Sequence, residues 1–345
     1  LPRLLGGHGR RYSLAQLQHP GSSQHAIGDS QGQAMTQSLQ AVIVGAGPAG
    51  IRAAQTLVAH GLRPIGIDES ARWGGQIYRQ APGNFARSSK QLYGFDARKA
   101  DAVLSAMDSL LSKVDYRPNT LVWNAEGGQL DMLHEGHTSV VDYTDLIVAT
   151  GATDRILPFK GWTLPGVFSM GGAQVALKFQ ACAIGQKVVF AGSGPLLYLV
   201  AYQYAKAGAN VMAVLDSSHF SQQIKAVPSL LNHAAVFAKG VYYLAWLKAH
   251  GIAIHHGATP IEVMGTQSVE KLIWRNSQGA HEIYCDAVAT GYGLRSESQL
   301  ADILGCKFIF SNAENSWIPQ KDVAGRSTIQ HVYLAADGAG IQGAD

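Results

Sequence analysis

A chain of 345 residues that is 47% hydrophobic and 15% charged can bury a sizeable core, and at about 150 residues per domain it should hold about two domains. Its 27 Lys and Arg against 24 Asp and Glu leave a formal charge of +3 with no run of five like charges, which argues against a nucleic-acid groove. The cysteines, Cys182, Cys285 and Cys306, stand far apart without a CxxC, so neither a zinc knuckle nor a disulfide framework is expected and a reducing cytoplasm is the expected compartment.

Taken in chain order, the first 34 residues lack apolar periodicity and are rich in Gln, Ser, Gly and His. Arg10 and Arg11 are not followed by the apolar stretch that a secretory signal needs. Residues 1–38 are therefore expected to be an extension outside the fold, with a natural start falling at Met35. From there short β-branched runs alternate with longer helical patterns, which predicts parallel strands joined by helical crossovers and hence an α/β fold. The strand QAVIV leads into Gly45-Ala46-Gly47-Pro48-Ala49-Gly50, then a helical pattern, then the strand RPIGIDES with its acids Asp68 and Glu69. In such a turn Gly45 permits the sharp exit from the strand, Gly47 lets the backbone close on a pyrophosphate, and Gly50 lets helix and strand pack tightly. The phosphates rest on the amides and positive dipole of the helix start. Asp68 follows Gly50 by close to the roughly 20 residues expected of a carboxylate that accepts hydrogen bonds from a ribose. Dinucleotide binding is the prediction.

The pattern then recurs. VIVGAGPAG from Val42 is echoed by VVFAGSGPLL from Val188, and VATG at Val148–Gly151 returns at Val288–Gly291, at nearly equal offsets. Between glycine turn and VATG each unit alternates apolar and polar residues, around Gly127 and Gly128 in the first and Gly279 in the second. A small antiparallel sheet is expected late in each unit. The uncharged run between Lys187 and Lys206 has the length of a membrane span, but its interior Gly-Ser-Gly-Pro reads as strand, turn and helix. In this second turn Gly192 and Gly194 hold the first two places, Leu197 the third, and Asp216 ends the next strand. A turn that merely folds the unit and a working NAD(P) site are both compatible with that. The aromatic-rich helix VFAKGVYYLAWLKAH reads as an extra core helix or, alternatively, a partner surface. His134 with His137 lacks a third ligand, and His255 with His256 points to opposite faces of a strand, so no metal is expected. Thr153, Asp154 and Arg155 could line a cleft or form a salt-bridged hinge.

Two Rossmann units, each with a late ATG piece, resemble the two-dinucleotide-domain flavoproteins, the superfamily of glutathione reductase, thioredoxin reductase and rubredoxin reductase. The closing segment VYLAADGAGIQG, Val332 to Gly343, is similar to that superfamily's second flavin motif, with Asp337 at the position that reaches the flavin's ribityl and phosphate region and Ala336 where Gly is usual. The resemblance implies two Rossmann-like dinucleotide-binding domains, glutathione reductase-like, the second inserted in the first: an FAD-binding domain over 39–156 and 296–345, and an NAD(P)-binding-like domain over 157–295. It implies FAD as the cofactor, held by Gly45, Ala46, Gly47, Pro48, Ala49, Gly50, Asp68 and Glu69. Gly75 and Gln76 of RWGGQIYRQ would lie near the flavin, Thr150 and Gly151 would border its cleft, and Asp337 would close it. Disulfide reductases of this superfamily work through a pair of cysteines that take electrons from the flavin, and this chain has no such pair.

Longer stretches, among them DESARWGGQIYRQ, LIVATGATDRILPFKGWTLPGVFSMGGAQVALK and GYGLRSE, resemble the FAD-binding subunit shared by hydrogen cyanide synthase, opine oxidase and hydroxyproline dehydrogenase complexes. The likeness runs from about Val42 to Ala344 and is greatest for the cyanide synthase branch, in which glycine is oxidised to HCN and CO2. It implies oxidation of the CH–NH bond of amino or imino acids, with electrons passed to a membrane acceptor. It further implies two other subunits as partners, one a second flavoprotein and one ferredoxin-like, and a cytoplasmic complex with no transmembrane segment that can associate with the membrane peripherally. Because the partner flavoprotein carries the amine-oxidising site, no catalytic acid or base is assigned here. Members continue past the second flavin motif through a further helix and often a cysteine cluster, so the chain is expected either to be a fragment or to have its cluster on another subunit. An NAD(P)H-dependent flavin reductase is the alternative.

Overall fold

The computed structural model describes residues 39–85, 87–218 and 234–341, with side chains described from residue 238 onward in the last stretch. The expectation for residues 1–38 and the end of the closing segment, 342–345, lie outside the described residues.

The apolar run Ala41–Val44 forms β1, buried along its whole length. Parallel strands covered on both faces require such a run. The chain turns into α1 (Pro48–Ala59), which starts on a proline whose fixed φ suits a first helical turn. It returns parallel as β2 (Ile65–Ile67). Two helices cross to β3 (Asp115–Arg117): α2 (Ser89–Tyr93), opened by a capping box between Ser88 and Gln91, and α3 (Ala97–Asp108). An antiparallel meander follows, β4 (Thr120–Glu126), β5 (Gln129–His134) and β6 (His137–Asp142), and then β7 (Asp145–Val148), parallel to β1 with Leu146 opposite Val42.

After β8 (Ala152–Asp154) and β9 (Val167–Ser169) comes α4 (Met170–Lys178), and the plan repeats. The second unit runs β10 (Lys187–Gly192), α5 (Pro195–Lys206), β11 (Asn210–Asp216), the aromatic helix Ala234–Ala249, β12 (Ala253–His256), a meander β13 (Thr259–Met264), β14 (Lys271–Asn276) and β15 (Gly279–Tyr284), and β16 (Ala287–Gly291). The long uncharged run is thus strand, turn and helix, and no helix among the described residues is long and apolar enough to cross a membrane. The chain comes back through β17 (Leu294–Ser296), a short helix Gln299–Ile303, the hairpin β18 (Phe308–Ser311) and β19 (Ser316–Pro319), and β20 (Val332–Leu334).

Two five-stranded parallel sheets result, in the orders β20-β7-β1-β2-β3 and β9-β16-β10-β11-β12. In both, the fifth strand comes from outside the repeated run: β20 follows the second unit, and β9 precedes it. Each sheet is covered by helices on one face and a meander on the other. Ile43 packs with Ile51, Ala54 and Met107 of α1 and α3, whereas Val42 and Val44 pack with Leu130 and Met132 of the meander. Phe190 likewise faces Leu197, Tyr204 and Leu247, and Val189 faces Leu272 and Trp274. The aromatic helix buries Tyr243 and Leu247 against α5 and leaves Val241 and Tyr242 nearly half exposed. It also touches the first unit, through Tyr242 edge-on to Phe95 at 5.3 Å and a 2.8 Å ion pair from Lys239 to Asp96.

Candidate functional site

The first glycine turn is built by contacts that exclude side chains. A Cβ on Gly45, which has φ +106°, would collide with the Ala149 carbonyl at the end of β7, and one on Gly50 would collide with the Gly45 carbonyl. The turn is thereby wedged between β1, α1 and β7. Gly47 differs: its φ is −75°, and a Cβ there would meet only the Gly75 Cα, at 3.7 Å. The open side of Gly47 faces the start of α1, which no side chain caps and whose first turn has no acidic residue. The amides of Ala49 and Gly50 lack intrahelical acceptors by their position, and Pro48 has none to satisfy. An anion is the natural complement of such a terminus.

Asp68 is buried at the end of β2 and binds the turn directly. Its Oδ2 accepts the Ala46 N–H at 2.5 Å and its Oδ1 the Ser70 N–H at 2.7 Å. A carboxylate offers about four lone-pair positions, so two remain for the hydroxyls of a ribose. Glu69, the next residue, is exposed. The Gly74–Gly75 loop lies against the turn: the Gly74 N–H donates to the Ala46 carbonyl at 2.8 Å, and a Cβ on Gly75 would come within 2.8 Å of the Gly47 Cα. Gln76 is exposed and held by the Arg79 guanidinium at 2.9 Å.

Two residues here escaped the sequence reading. The Tyr116 hydroxyl and the Trp73 Nε1 are buried without a hydrogen-bond partner, and their rings meet edge-on at 5.7 Å. Burial, with the Asp68 charge beside it, pushes the Tyr116 phenol well above its usual range, so it remains an O–H donor. Unpaired buried donors are costly, and a bound polar ligand offers the acceptors they lack. The glycine cradle, the open helix start and these orphaned donors fit a dinucleotide.

The closing segment meets the ATG piece that follows β7. Thr150 Oγ1 donates to the Glu297 carbonyl at 2.7 Å, and the Glu297 N–H to the Gly151 carbonyl at 2.9 Å. Gly338 sits against this pair, since a Cβ on it would be 3.0 Å from Thr150 Oγ1. Asp337, half-buried in a 3-10 turn, thus lies next to the ATG piece, and the Gly340 N–H ties the turn to Ser296 Oγ at 3.1 Å. Ala336 adopts φ +55°, the left-handed conformation that glycine takes without strain.

Other candidates take up structural posts. Asp154 Oδ2 accepts the Gly171 N–H at the start of α4 at 2.8 Å, and Arg155 donates to the Glu314 carbonyl at 2.7 Å, so this stretch is tied by hydrogen bonds beside the β8–β17 ribbon. His134 Nδ1 lies 3.1 Å from the Asn119 carbonyl, and His255 packs on Trp274. Among the described residues no group of three or more His, Cys, Asp or Glu is placed to hold a metal. All three cysteines are free; Cys182 is exposed, while burial pushes the Cys285 thiol up to about 12 and raises that of Cys306.

Residues 39–344 match the family described as pyridine nucleotide-disulphide oxidoreductase. The chain is 34% identical over 327 residues to hydrogen cyanide synthase subunit HcnB of Pseudomonas protegens, covering 89% of this chain and 67% of that protein. It is also 34% identical to an opine oxidase subunit of Agrobacterium tumefaciens, covering 88% of this chain and 62% of the relative. The chain therefore spans roughly two thirds or less of the length of these relatives. Among solved structures, T. acidophilum thioredoxin reductase superimposes with a TM-score of 0.60 at 18% identity, over 87% of this chain and 90% of that one. At that identity the likeness speaks for the fold, two Rossmann-like units of the glutathione reductase kind.

Proposed function

Because the chain belongs to the pyridine nucleotide-disulphide oxidoreductase family, a flavoprotein family in which FAD is the cofactor, we propose that it is the FAD-binding subunit of a heteromeric amino-acid or imino-acid dehydrogenase. The observation that carries this reading is the state of this chain's cysteines: all three are free and two are buried with raised thiols, so among the described residues there is no thiol pair for a flavin to reduce. The relatives named as cyanide synthase and opine oxidase subunits supply the donor class, and glycine, oxidised to HCN and CO2, is the proposed substrate. An opine or hydroxyproline is the nearest alternative. The proposed partners are a second flavoprotein and a ferredoxin-like subunit, in a cytoplasmic complex that can associate with the membrane through them.

In this reading residues 39–156 and 296–345 form the FAD domain and 157–295 the inserted domain. FAD, when bound, accepts the electrons released in oxidation of the substrate's C–N bond. The chain's residues bind and orient it. The amides of Ala49 and Gly50 and the open side of Gly47 receive the pyrophosphate, with Gly45 and Pro48 shaping the turn. Asp68 takes ribose hydroxyls on its two remaining lone-pair positions. Gly75, Gln76, Thr150, Gly151 and Asp337 line the flavin side, and the Gly74–Gly75 loop packs on the turn.

A second reading, an NAD(P)H-dependent flavin reductase, draws on Gly192, Gly194 and Asp216, which keep the outline of a nucleotide turn in the second sheet. Anaerobic mixing separates the two. Bleaching of the flavin by glycine or another amino acid with the partner subunit present is the expected result; fast bleaching by NADH or NADPH alone would overturn the proposal.

A further inference from the structure

The second sheet carries the same two features as the first, a glycine turn and a carboxylate at the end of the next strand, but bonds them differently. In the first unit the turn amide of Ala46 reaches across to Asp68. In the second the corresponding amide, that of Ser193, donates to the Gly291 carbonyl at 2.9 Å. The turns differ in backbone as well: Gly194 has φ +87° where Gly47 has −75°.

Asp216 is satisfied from within the protein. Its Oδ1 accepts the Ser218 N–H at 2.8 Å and the Ser218 hydroxyl at 2.6 Å. Its Oδ2 accepts the Tyr198 hydroxyl and lies 3.7 Å from His256 Nδ1. Three hydrogen bonds thus take up three of the roughly four lone-pair positions of a carboxylate, with the His256 ring close by, against two at Asp68. Asp216 is 1% exposed and Tyr198 7%. Tyr198 stands in the first turn of α5, directly after Leu197, which is wholly buried in the place of the third glycine. A ribose entering here would have to break a phenol–carboxylate bond sealed from water, and would leave one of the two partners buried and unpaired.

We propose that Tyr198 closes the second Rossmann turn to dinucleotides: on Asp216 its hydroxyl occupies the position that a ribose hydroxyl takes in nucleotide-binding members of this fold. The flavin of this chain is accordingly not reduced by NADH or NADPH. The inference deepens the reading above by removing one electron source, and its test is separate because nucleotide binding is measured with no amine present.

The test titrates the flavin-loaded protein with NADH, NADPH and ADP-ribose, following binding by calorimetry and flavin bleaching under anaerobic conditions. The parent is expected to show no saturable binding up to about 1 mM, the top of the usual range of Michaelis constants. Tyr198→Ala is expected to gain at least about tenfold in affinity, a step of the size one lost charge-assisted hydrogen bond implies. Tyr198→Ala combined with Asp216→Asn is expected to lose that gain. Tyr198→Phe keeps the ring's packing and returns one acceptor position to Asp216, so it should move the same way if the alanine variant does not fold. Flavin content and melting temperature identify the folded variants. Saturable nucleotide binding by the parent, or folded Tyr198 variants that bind no better than the parent, would overturn the proposal.

Discussion

Gly47 and Gly50 serve the first turn in different ways, and two substitutions separate them. A methyl on Gly47 meets nothing closer than the Gly75 Cα at 3.7 Å, at a φ any residue adopts. Gly47→Ala is therefore expected to melt within about 0.5 kcal/mol of the parent without flavin, as a substitution that meets no neighbour does, while retaining much less FAD after purification. Gly50→Ala forces backbone apart and should cost on the order of 3 kcal/mol whether or not flavin is present, read by urea unfolding. Asp68→Asn keeps the shape but loses the charge and half the acceptor capacity, and should weaken FAD about tenfold or more by fluorescence titration. Ala336→Gly relieves a left-handed alanine and is expected to stabilise by about 0.5 kcal/mol, the strain less the entropy that glycine adds to the unfolded chain. The glycines and Asp68 could be found from the sequence because their spacing is a local property of one strand–turn–helix. Tyr116 and Trp73 could not, since they are adjacent only after β3 pairs with β2 and the glycine loop folds over.

Among the elements, α4 carries the least comfortable residue of the core. Lys178 is 4% exposed, its ammonium has the Ile77 carbonyl at 3.5 Å, and burial pulls its pKa down to about 8, with nearby Asp96 opposing the shift. An unfolded lysine titrates near 10.5. Below pH 8 both states hold the proton and the folded state carries the full cost of burying it. Between about 8 and 10.5 the folded state gives up its proton first, so the cost fades as pH rises. Lys178→Met should thus raise stability by on the order of 3 kcal/mol at pH 7, with the difference from the parent shrinking between pH 8 and 10 in denaturant melts. Equal stabilities at pH 7 would refute the assignment. Strands such as β1 and β10 announce themselves by short buried apolar runs, and the aromatic helix by its composition. The outer strands β9 and β20 do not, because three residues with no distinctive pattern become strands only by pairing with β16 and β7.

Across the whole molecule the three thiols report on the fold and on the chemistry together. Ellman's reagent should modify Cys182 rapidly in the native protein, and Cys285 and Cys306 only after unfolding. Fast reaction at either buried thiol would contradict the packing described. The doubling of the Rossmann plan was readable as a repeat in the sequence, but the different bonding of its two carboxylates was not, since Tyr198–Asp216 and Ala46–Asp68 are both set by tertiary contacts.

The ribbon of β8 and β17 carries a further consequence. Asp154 pairs with Leu294, Thr153 with Arg295 and Ala152 with Ser296, so the chain leaves the first sheet and returns to it at one point. Everything between is an excursion with its ends already tied together. A two-residue turn of the kind that closes ordinary hairpins would span Asp154 and Leu294. The first sheet, β20-β7-β1-β2-β3, closes without a single strand from that excursion.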